Sequence, residues 1–484
     1  MKHIVIIGGG ISGLAAAHRL TELSRTNATP VEITLCEASD RLGGIIQTHL
    51  RDGFLLERGP DSFISEKPEA IRLAQRLGID RRLITTNEQH RCSFIVRKGR
   101  LRKVPEGFQL LAPSRFWPFI STDIFSLPGK LRMAADLFLP RANSNGSTDE
   151  SLASFVTRRL GKEALDRMAQ PMVGGIYTAD PGTLSLRATL PRFLDMEREH
   201  RSIILAMLRQ GKGSKTKGTG VSGPRYSLFL SFDSGMQVLT DQLERTIKAA
   251  GVRIQLNSKV TSLDHGAAEG PRSWTITTND GSQIQADGVC LAVPSYSAAI
   301  LMERIDAHLA QQLRAIDYTS TATINFAYRR DDVRHSLDGF GFVVPLLENR
   351  SLIACTFSSV KFPGRAPEQH VLLRAFVGGA LQPEIFQLDE TEMVERVKSD
   401  LNQLLDIQGQ PLFVETSKWS GSMPQYYVGH LERISAIETQ MNSLPGVSVA
   451  GNSYRGAGLP DCIRSGETAA EKLFDSLSRS DATD

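Results

Sequence analysis

Ile4-Val5-Ile6-Ile7-Gly8-Gly9-Gly10-Ile11-Ser12-Gly13 is the stretch that decides the fold. Its first four residues are apolar and β-branched, which suits a short strand buried on both faces of a parallel sheet. Gly8, Gly10 and Gly13 satisfy G-x-G-x-x-G, and Leu14 to Leu23 then has the pattern of a helix. In such a turn Gly8 allows the tight bend, Gly10 lets backbone N–H groups approach a pyrophosphate, and Gly13 lets helix and strand pack closely. The N-terminus of the helix presents unpaired N–H donors and a partial positive charge. A second strand is predicted over Val31 to Cys36, ending at Glu37, whose carboxylate can accept ribose hydroxyls. Glu37 lies somewhat beyond the usual ~20 residues, and the polar loop Ser24 to Pro30 accounts for the difference. A Gly-rich turn alone would be an ordinary α/β feature. Strand, helix, second strand and terminal acid together indicate dinucleotide binding.

Three further stretches extend this unit. Behind Glu37 and Ala38 comes Ser39-Asp40-Arg41-Leu42-Gly43-Gly44-Ile45, where Arg41 can neutralise a phosphate and the glycines permit close backbone approach. Extended contact beyond the ribose-binding acid is what FAD needs and NAD does not. Glu57-Arg58-Gly59-Pro60-Asp61-Ser62-Phe63 is a rigid turn whose backbone can lie along the cofactor. Near the C-terminus, a strand over Val447 to Ala450 runs into the Gly-rich turn Gly451 to Gly458, and a helix is predicted over Asp461 to Phe474. That places a second helix N-terminus near the cofactor. No second strand-linked G-x-G-x-x-G follows, so the substrate, not a nicotinamide, is expected to reduce the flavin.

The 484 residues can hold two or three domains, and 41% hydrophobic with 23% charged residues is an ordinary globular composition. A net charge of +3 gives a nucleic-acid partner no global electrostatic support. Cys36, Cys92, Cys290, Cys355 and Cys462 are dispersed without a C-x-x-C pair, and the ten histidines are equally scattered. Reduced thiols and no metal site are the expectation. The first strand begins almost at Met1, leaving no room for a signal peptide, and no apolar run approaches the ~18 residues of a membrane span. A soluble or peripheral protein is expected.

Between the two ends, helices are predicted over Pro68 to Leu77, Ser151 to Gln170, Arg192 to Leu208 and Thr391 to Leu405, with a β-like segment at Cys92 to Val96. Gly107 to Arg141 is distinctive. It carries Phe108, Phe116, Trp117, Phe119, Phe125 and Phe138, broken by Pro113, Pro118, Pro128 and Pro140, with more basic than acidic residues. Such a segment suits either a membrane interface or a buried helical subdomain lining a substrate channel. Residues 142–150 have the composition of a polar linker. Residues 209–223, rich in Gly, Ser and Lys, suit a solvated loop, with a membrane-surface patch as the alternative. Further on, Asn279-Asp280-Gly281 marks a hairpin, and Val289 to Val293 a strand returning to the first sheet. The long β-rich runs Thr319 to Tyr328, Gly339 to Leu346, Ser351 to Phe357 and Val371 to Val377 suit an antiparallel substrate sheet. The expected fold class is α/β plus α+β. Residues 1–63, 226–294 and 431–484 would form a Rossmann-type FAD-binding domain. Residues 64–106, 180–225 and 295–430 would form the substrate domain, and 107–179 a helical subdomain for membrane or channel.

Over nearly its whole length the chain resembles the bacterial protoporphyrinogen/coproporphyrinogen oxidases of the amine-oxidase-like FAD superfamily. The resemblance rests on Gly8-x-Gly10-x-x-Gly13, Arg41-Leu42-Gly43-Gly44 and Glu57 through Phe63. More specific are Gly175-Ile176-Tyr177-Thr178-Ala179-Asp180, Trp419 through Tyr426, Gly429-His430 and Gly456-Ala457-Gly458-Leu459-Pro460-Asp461-Cys462. It implies non-covalent FAD held by Gly8 to Gly13, Glu37, Ala38, Gly59, Pro60, Asp61, Ser62, Val260, Trp419 and Ala457 to Leu459. Arg41, Gly43, Gly44, Ile45, Gly451 and Gly456 complete the candidate set. It also implies a haem-biosynthetic oxidase that removes six electrons from a porphyrinogen in three flavin cycles, with O2 going to H2O2.

No catalytic side chain is assigned, since the chemistry is flavin-centred. For substrate, eukaryotic members have a propionate-pairing arginine where this chain has Ser93, with Arg91 two residues earlier. Lys67 resembles the basic residue of the coproporphyrinogen branch, against a plain reading as a solvated lysine, and Tyr177 is the fourth candidate. Peripheral membrane contact, a homodimer and handover to a neighbouring haem-pathway enzyme are further partner expectations, in a cytoplasmic setting. Coproporphyrinogen III and protoporphyrinogen IX both stay open. The alternatives are a flavin amine or polyamine oxidase, and a non-enzymatic carrier on the same fold.

Overall fold

The first strand and helix form where the glycine pattern places them. In a computed structural model, which describes residues 1–105, 108–109, 112–113, 115–141, 149–213, 228–266 and 273–480, β1 (Lys2–Ile7) leads into α1 (Ile11–Thr26) and β2 (Val31–Cys36). β3 (Arg253–Gln255), β4 (Gly288–Leu291) and β5 (Val447–Val449) join them, and α2 (Leu459–Ser480) ends the chain's described part. The sheet runs β3-β2-β1-β4-β5 and is parallel throughout. Alternation splits β1 between two cores: Ile4 and Ile6 pack with Leu14, Leu20 and Ile463, while Val5 and Ile7 pack with Val289, Leu291 and Leu309. That is why the run is apolar at every position.

The middle of the chain builds a seven-stranded sheet in the order Phe413–Pro424, Tyr318–Arg329, His370–Gly378, Ala354–Phe357, Gly341–Val343, Phe94–Arg97, Arg100–Lys103. It is antiparallel except where Gly341–Val343 pairs with Phe94–Arg97 in parallel. One face packs on the helix Glu390–Leu405 through Met393, Val397 and Leu401. The hairpin across 279–281 forms, joining Trp274–Thr278 to Gln283–Ala286.

A helical unit packs around Phe119, Phe125, Phe155, Val173, Phe193 and Met207. At its centre Arg159 and Asp136, both with fully buried side chains, form an ion pair. Asp136 also accepts the Ser202 hydroxyl at 2.6 Å and the Ile204 N–H at 3.0 Å. The partners compensate the cost of burying the charges.

Two expectations about helices change here. The helix predicted over 151–170 stops at Leu160, because Gly161 adopts φ +92, and the chain continues through a π-turn into Gln170–Tyr177. The helix predicted over 192–208 is two helices, Pro191–His200 and Ile203–Gly213, broken at Arg201 with φ +64. Ser202 explains the restart, since its hydroxyl caps the Leu205 N–H at 3.0 Å.

Packing also redraws the expected boundaries. Ala70, Ile71, Leu73, Ala74, Leu77 and Ile79 belong to the core of the five-stranded sheet, whereas Phe94 and Val96 belong to the seven-stranded one. The stretch 64–106 is therefore divided, and helices up to residue 213 join the helical unit. Within the stretches expected as linker (142–150), basic loop (209–223) and aromatic segment (107–141), residues 142–148, 214–223, 107, 110–111 and 114 lie outside the described residues. Among the described residues no helix is long and apolar enough to cross a membrane.

Candidate cofactor and active site

Gly8 turns with φ +105 and donates its N–H to the Cys36 carbonyl at 2.8 Å. A Cβ on Gly13 would sit 1.9 Å from the Gly8 carbonyl oxygen, so helix and strand touch through backbone. At Gly10 the outcome is opposite: a Cβ there would meet nothing within 4 Å. Gly10 caps α1 without any side-chain hydrogen bond. First-turn N–H donors beside open space are what a pyrophosphate requires, and the residues fit one. Ser12 contributes backbone only, because its hydroxyl donates to the Cys462 carbonyl at 2.9 Å and ties α1 to α2.

The Glu37 carboxylate accepts the Gly9 N–H at 2.6 Å on one oxygen and the Ser39 N–H and hydroxyl at 2.8 and 2.7 Å on the other. These donors orient it and leave acceptor capacity for hydroxyls. Ala38 is exposed beside it. The Ser258 N–H reaches the Glu37 carbonyl at 2.8 Å, bringing the chain toward Val260. Gly43 donates to the Gly9 carbonyl at 2.8 Å, and Gly44, with φ +57, lies close to Gly10. Arg41, expected at a phosphate, donates instead to the carbonyls of Gly44 and Ile46 at 2.7 and 2.6 Å. It braces the 43–46 turn.

The turn 57–62 lies against the same loop. A Cβ on Gly59 would be 1.8 Å from the Ile45 carbonyl oxygen. The Arg58 carbonyl accepts Trp419 Nε1 at 2.8 Å and the Thr323 hydroxyl at 3.1 Å, and Arg374 donates to the Gly59 carbonyl. The seven-stranded sheet thus grips the turn on both sides of the Arg58–Gly59 bond. Pro60 follows, and Asp61 pairs with Lys361 at 2.9 Å. Burial opposes the charge on Asp61, but Lys361 and Arg374 outweigh it and hold the carboxyl well below its ordinary range.

Glu57, 4% exposed, has the opposite fate. Burial pushes it up to about 7 against the Met236 N–H, the Thr48 hydroxyl, Arg365 and Arg374. A raised carboxyl contributes stability below its unfolded value that is lost as pH rises through about 7. Glu57→Gln is therefore expected to match the parent near pH 4.5 and to exceed it by about 3 kcal/mol near pH 8. Denaturant midpoints at the two pH values check this, and equal differences at both would refute it.

At the other turn Gly451 has φ +137 and donates to the Ser465 hydroxyl at 3.0 Å. Gly456 has φ +136, and a Cβ there would lie 2.5 Å from the Asp461 carboxyl carbon. The Gly458 carbonyl accepts the Cys462 N–H at 3.0 Å, the Ala457 carbonyl lies 3.8 Å from the Cys462 thiol, and Leu459 is buried. Asp461, buried in the first turn of α2, takes Lys67 Nζ at 2.5 Å and Arg464 at 2.5 Å. Tyr177 donates to the Thr189 carbonyl at 3.2 Å, and burial, with Asp461 adding to it, pushes its hydroxyl up to about 12.

Lys67 and Tyr177 thus both feel Asp461 beside the turn. Arg91 instead pairs with Glu88 at 3.1 Å, half exposed, and Ser93 accepts the Val104 N–H through its carbonyl. Sequence reasoning missed Glu57, Lys361, Arg374 and Asp461 as charged members of the site. One signal was available: Arg374 stands in the apolar strand run Val371 to Val377, where a charge needs a partner.

The model of the flavin containing amine oxidoreductases matches residues 11–473. The coproporphyrinogen III oxidase of Bacillus subtilis (strain 168) is 36% identical over 471 residues, covering 97% of this chain and 97% of that one. The chloroplastic protoporphyrinogen oxidase of Nicotiana tabacum is 30% identical, covering 98% of this chain and 86% of that one. A crystal structure from Exiguobacterium sp. 255-15 superposes with a TM-score of 0.84 at 31% identity, with 98% of both chains covered.

Proposed function

The chain belongs to the flavin containing amine oxidoreductase family, and from this we propose that it is an FAD-dependent porphyrinogen oxidase of haem biosynthesis. The observation that carries the reading is that two glycine-rich turns, 8–13 and 451–459, follow parallel strands β1 and β5 on either side of β4, in a chain whose relatives match end to end. FAD, when bound, supplies the two-electron redox centre. The first turn of α1 would hold its phosphates, Glu37 a ribose, and the 43–46, 59–62 and 451–459 turns the rest. The chain's role is to orient the reactants and keep the site dry.

Conversion of a porphyrinogen to the porphyrin removes six electrons and six protons, so three turnovers with three O2 yield three H2O2. Coproporphyrinogen III is the favoured substrate, since the bacterial relative of that name is the more similar of the two relatives. Lys67 offers a cation to a substrate carboxylate at the edge of the flavin turn. Tyr177, its hydroxyl pushed up to about 12, stays neutral at physiological pH and keeps its bond to the Thr189 carbonyl, leaving its oxygen as an acceptor. Purified protein supplied with FAD and O2 should develop porphyrin fluorescence from coproporphyrinogen III faster than from protoporphyrinogen IX. No gain over autoxidation with either one would sink the reading, and turnover of polyamines instead would favour the amine-oxidase alternative.

Peripheral membrane contact belongs to the same proposal. Trp117, Leu127, Leu131 and Phe138 are 77, 71, 65 and 82% exposed on the helical unit. Apolar side chains beside basic residues suit an anionic interface. Co-sedimentation with anionic phospholipid vesicles is expected, and a Trp117→Asp/Phe138→Asp protein should lose most of it. Absence of binding at low and high salt alike would remove the membrane from the picture. Cytoplasmic location, a homodimer and product handover complete the proposal, and the mass of the particle in solution checks the dimer.

A further inference from the structure

Between the seven-stranded sheet and the last strand of the cofactor sheet, the segment 424–430 passes under the turn 451–458. Tyr426 is 2% exposed and His430 4%, and their rings stack with centroids 4.1 Å apart and an interplanar angle of 16°. The Tyr426 hydroxyl donates to the Asn452 carbonyl and accepts the Gly456 N–H at 2.9 Å. His430 Nε2 lies 2.8 Å from the Tyr454 carbonyl. One stacked pair therefore holds alternate residues 452, 454 and 456 of the turn, including Gly456 at φ +136. A carbonyl can only accept, so the imidazole carries its proton on Nε2. Burial lowers His430 to about 4, which keeps it neutral and able to donate this bond at physiological pH.

The same pair is fastened to the helical unit. The Ser185 N–H donates to the Tyr426 carbonyl at 2.7 Å. Asp149 accepts both the Ser185 hydroxyl at 2.7 Å and the Gly429 N–H at 3.1 Å. Leu184 and Tyr427 form a β-bridge. Tyr426 is itself a member of the helical unit's core.

We propose that Tyr426 and His430 are positioning residues for the cofactor, a clamp that fixes the shape of the 452–456 turn and makes that shape depend on the docked helical unit. This rests on the reading of the turn as part of the FAD site. Neither side chain needs to touch substrate. Their task is to hold backbone amides and carbonyls where a flavin would meet them, at a turn whose Gly456 takes a φ of +136.

The test uses the full chain with Tyr426→Phe, His430→Phe and His430→Gln. Tyr426→Phe keeps the ring stack but removes the hydroxyl that the half-buried Gly456 N–H donates to. Its FAD dissociation constant should rise by about tenfold or more, while KM for the porphyrinogen stays within about twofold. His430→Phe keeps a stacked ring and should weaken FAD similarly, and His430→Gln, which restores a donor toward the Tyr454 carbonyl, should recover much of the affinity. A purely structural role would lower the melting temperature of the apoprotein and leave FAD affinity alone. If Tyr426→Phe does not fold, the two His430 variants decide. FAD affinity within twofold of the parent in Tyr426→Phe, or equal in both His430 variants, overturns the clamp. A parent protein that binds no FAD would sink the cofactor reading instead, so the two failures are distinguishable.

Discussion

Gly13→Ala is expected to give a protein that purifies without its flavin. The added Cβ would lie 1.9 Å from the Gly8 carbonyl oxygen and 3.2 Å from Ala292 Cβ. Carbon atoms in ordinary contact sit ~3.5 Å or more apart, so backbone must move. Gly8 cannot yield, because its own Cβ position is 2.4 Å from the Ala292 carbonyl oxygen. Nor can α1 slide along its axis, since Gly466 of α2 packs against it with a Cβ position 2.1 Å from the Ser12 carbonyl. The helix must lift off the sheet, and its first-turn N–H groups leave the place where they meet an anion. Overpacking of this kind costs about 1–3 kcal/mol of fold stability, and FAD affinity should fall by more than a hundredfold, about 2.7 kcal/mol.

Gly10→Ala separates the two effects. Its Cβ meets no protein atom within 4 Å, and its φ of −68 suits alanine. Apoprotein stability should be unchanged while FAD binding falls, because the methyl group stands in the cradle. Flavin absorbance per chain after gel filtration, with the apoprotein melting temperature, reads both. Full flavin content in Gly13→Ala, or in Gly10→Ala, would show that the cradle is not where it is placed.

These glycines were legible because their reason is local. A strand period, a turn and a helix start all lie within ten residues, and the same holds for the hairpin at 279–281. The seven-stranded sheet was half legible: its strands show as β-rich runs, but the order that puts Phe94–Arg97 beside Gly341–Val343 is a pairing across more than 240 residues. Breaks inside predicted helices were missed at Gly161 and Arg201. Helical periodicity continues across such a break, while the positive φ of Gly161, the Ser202 cap and the Arg159 bond to the Arg201 carbonyl show in the fold why the chain turns there.

The least legible part was the charged floor under the cofactor turn. Glu57, Asp61, Lys361 and Arg374 come from segments separated by about 300 residues, and no spacing rule connects them. Arg41 shows the converse limit. Its place behind the ribose-binding acid suggested a phosphate, yet two loop carbonyls claim its donors.

Lys361→Met tests that floor and should be the most destabilising single change in it. Lys361 Nζ lies 2.9 and 3.0 Å from the two Asp61 carboxylate oxygens and 3.1 Å from the Ser62 hydroxyl. The side chains are 12 and 18% exposed, so little water replaces a lost partner. Lys361 closes the short helix Ser358–Lys361 that follows a strand of the seven-stranded sheet, whereas Asp61 belongs to the 57–62 turn, so the pair joins that sheet to the turn. Removing one member of a buried pair costs about 3–5 kcal/mol. Arg374 remains near Asp61 and places the expectation at the lower end, about 3 kcal/mol.

The pH dependence follows from the sign of the Asp61 shift. Its carboxyl is depressed in the folded protein, so the stabilisation is present above the unfolded value of ~3.9 and lost as pH falls through the folded one. The gap between parent and Lys361→Met should therefore be widest at neutral pH and should close in acid. An Asp61→Asn/Lys361→Met protein removes both charges and should be more stable than Lys361→Met alone, because no carboxylate is left buried without its partner. Denaturant unfolding of the four proteins in this cycle at neutral and acid pH measures the coupling. A gap that ignores pH, or a double variant no better than Lys361→Met, would mean that Lys361 acts through packing on Phe229 and Phe362, which its ammonium also overlies at 5.4 and 5.2 Å.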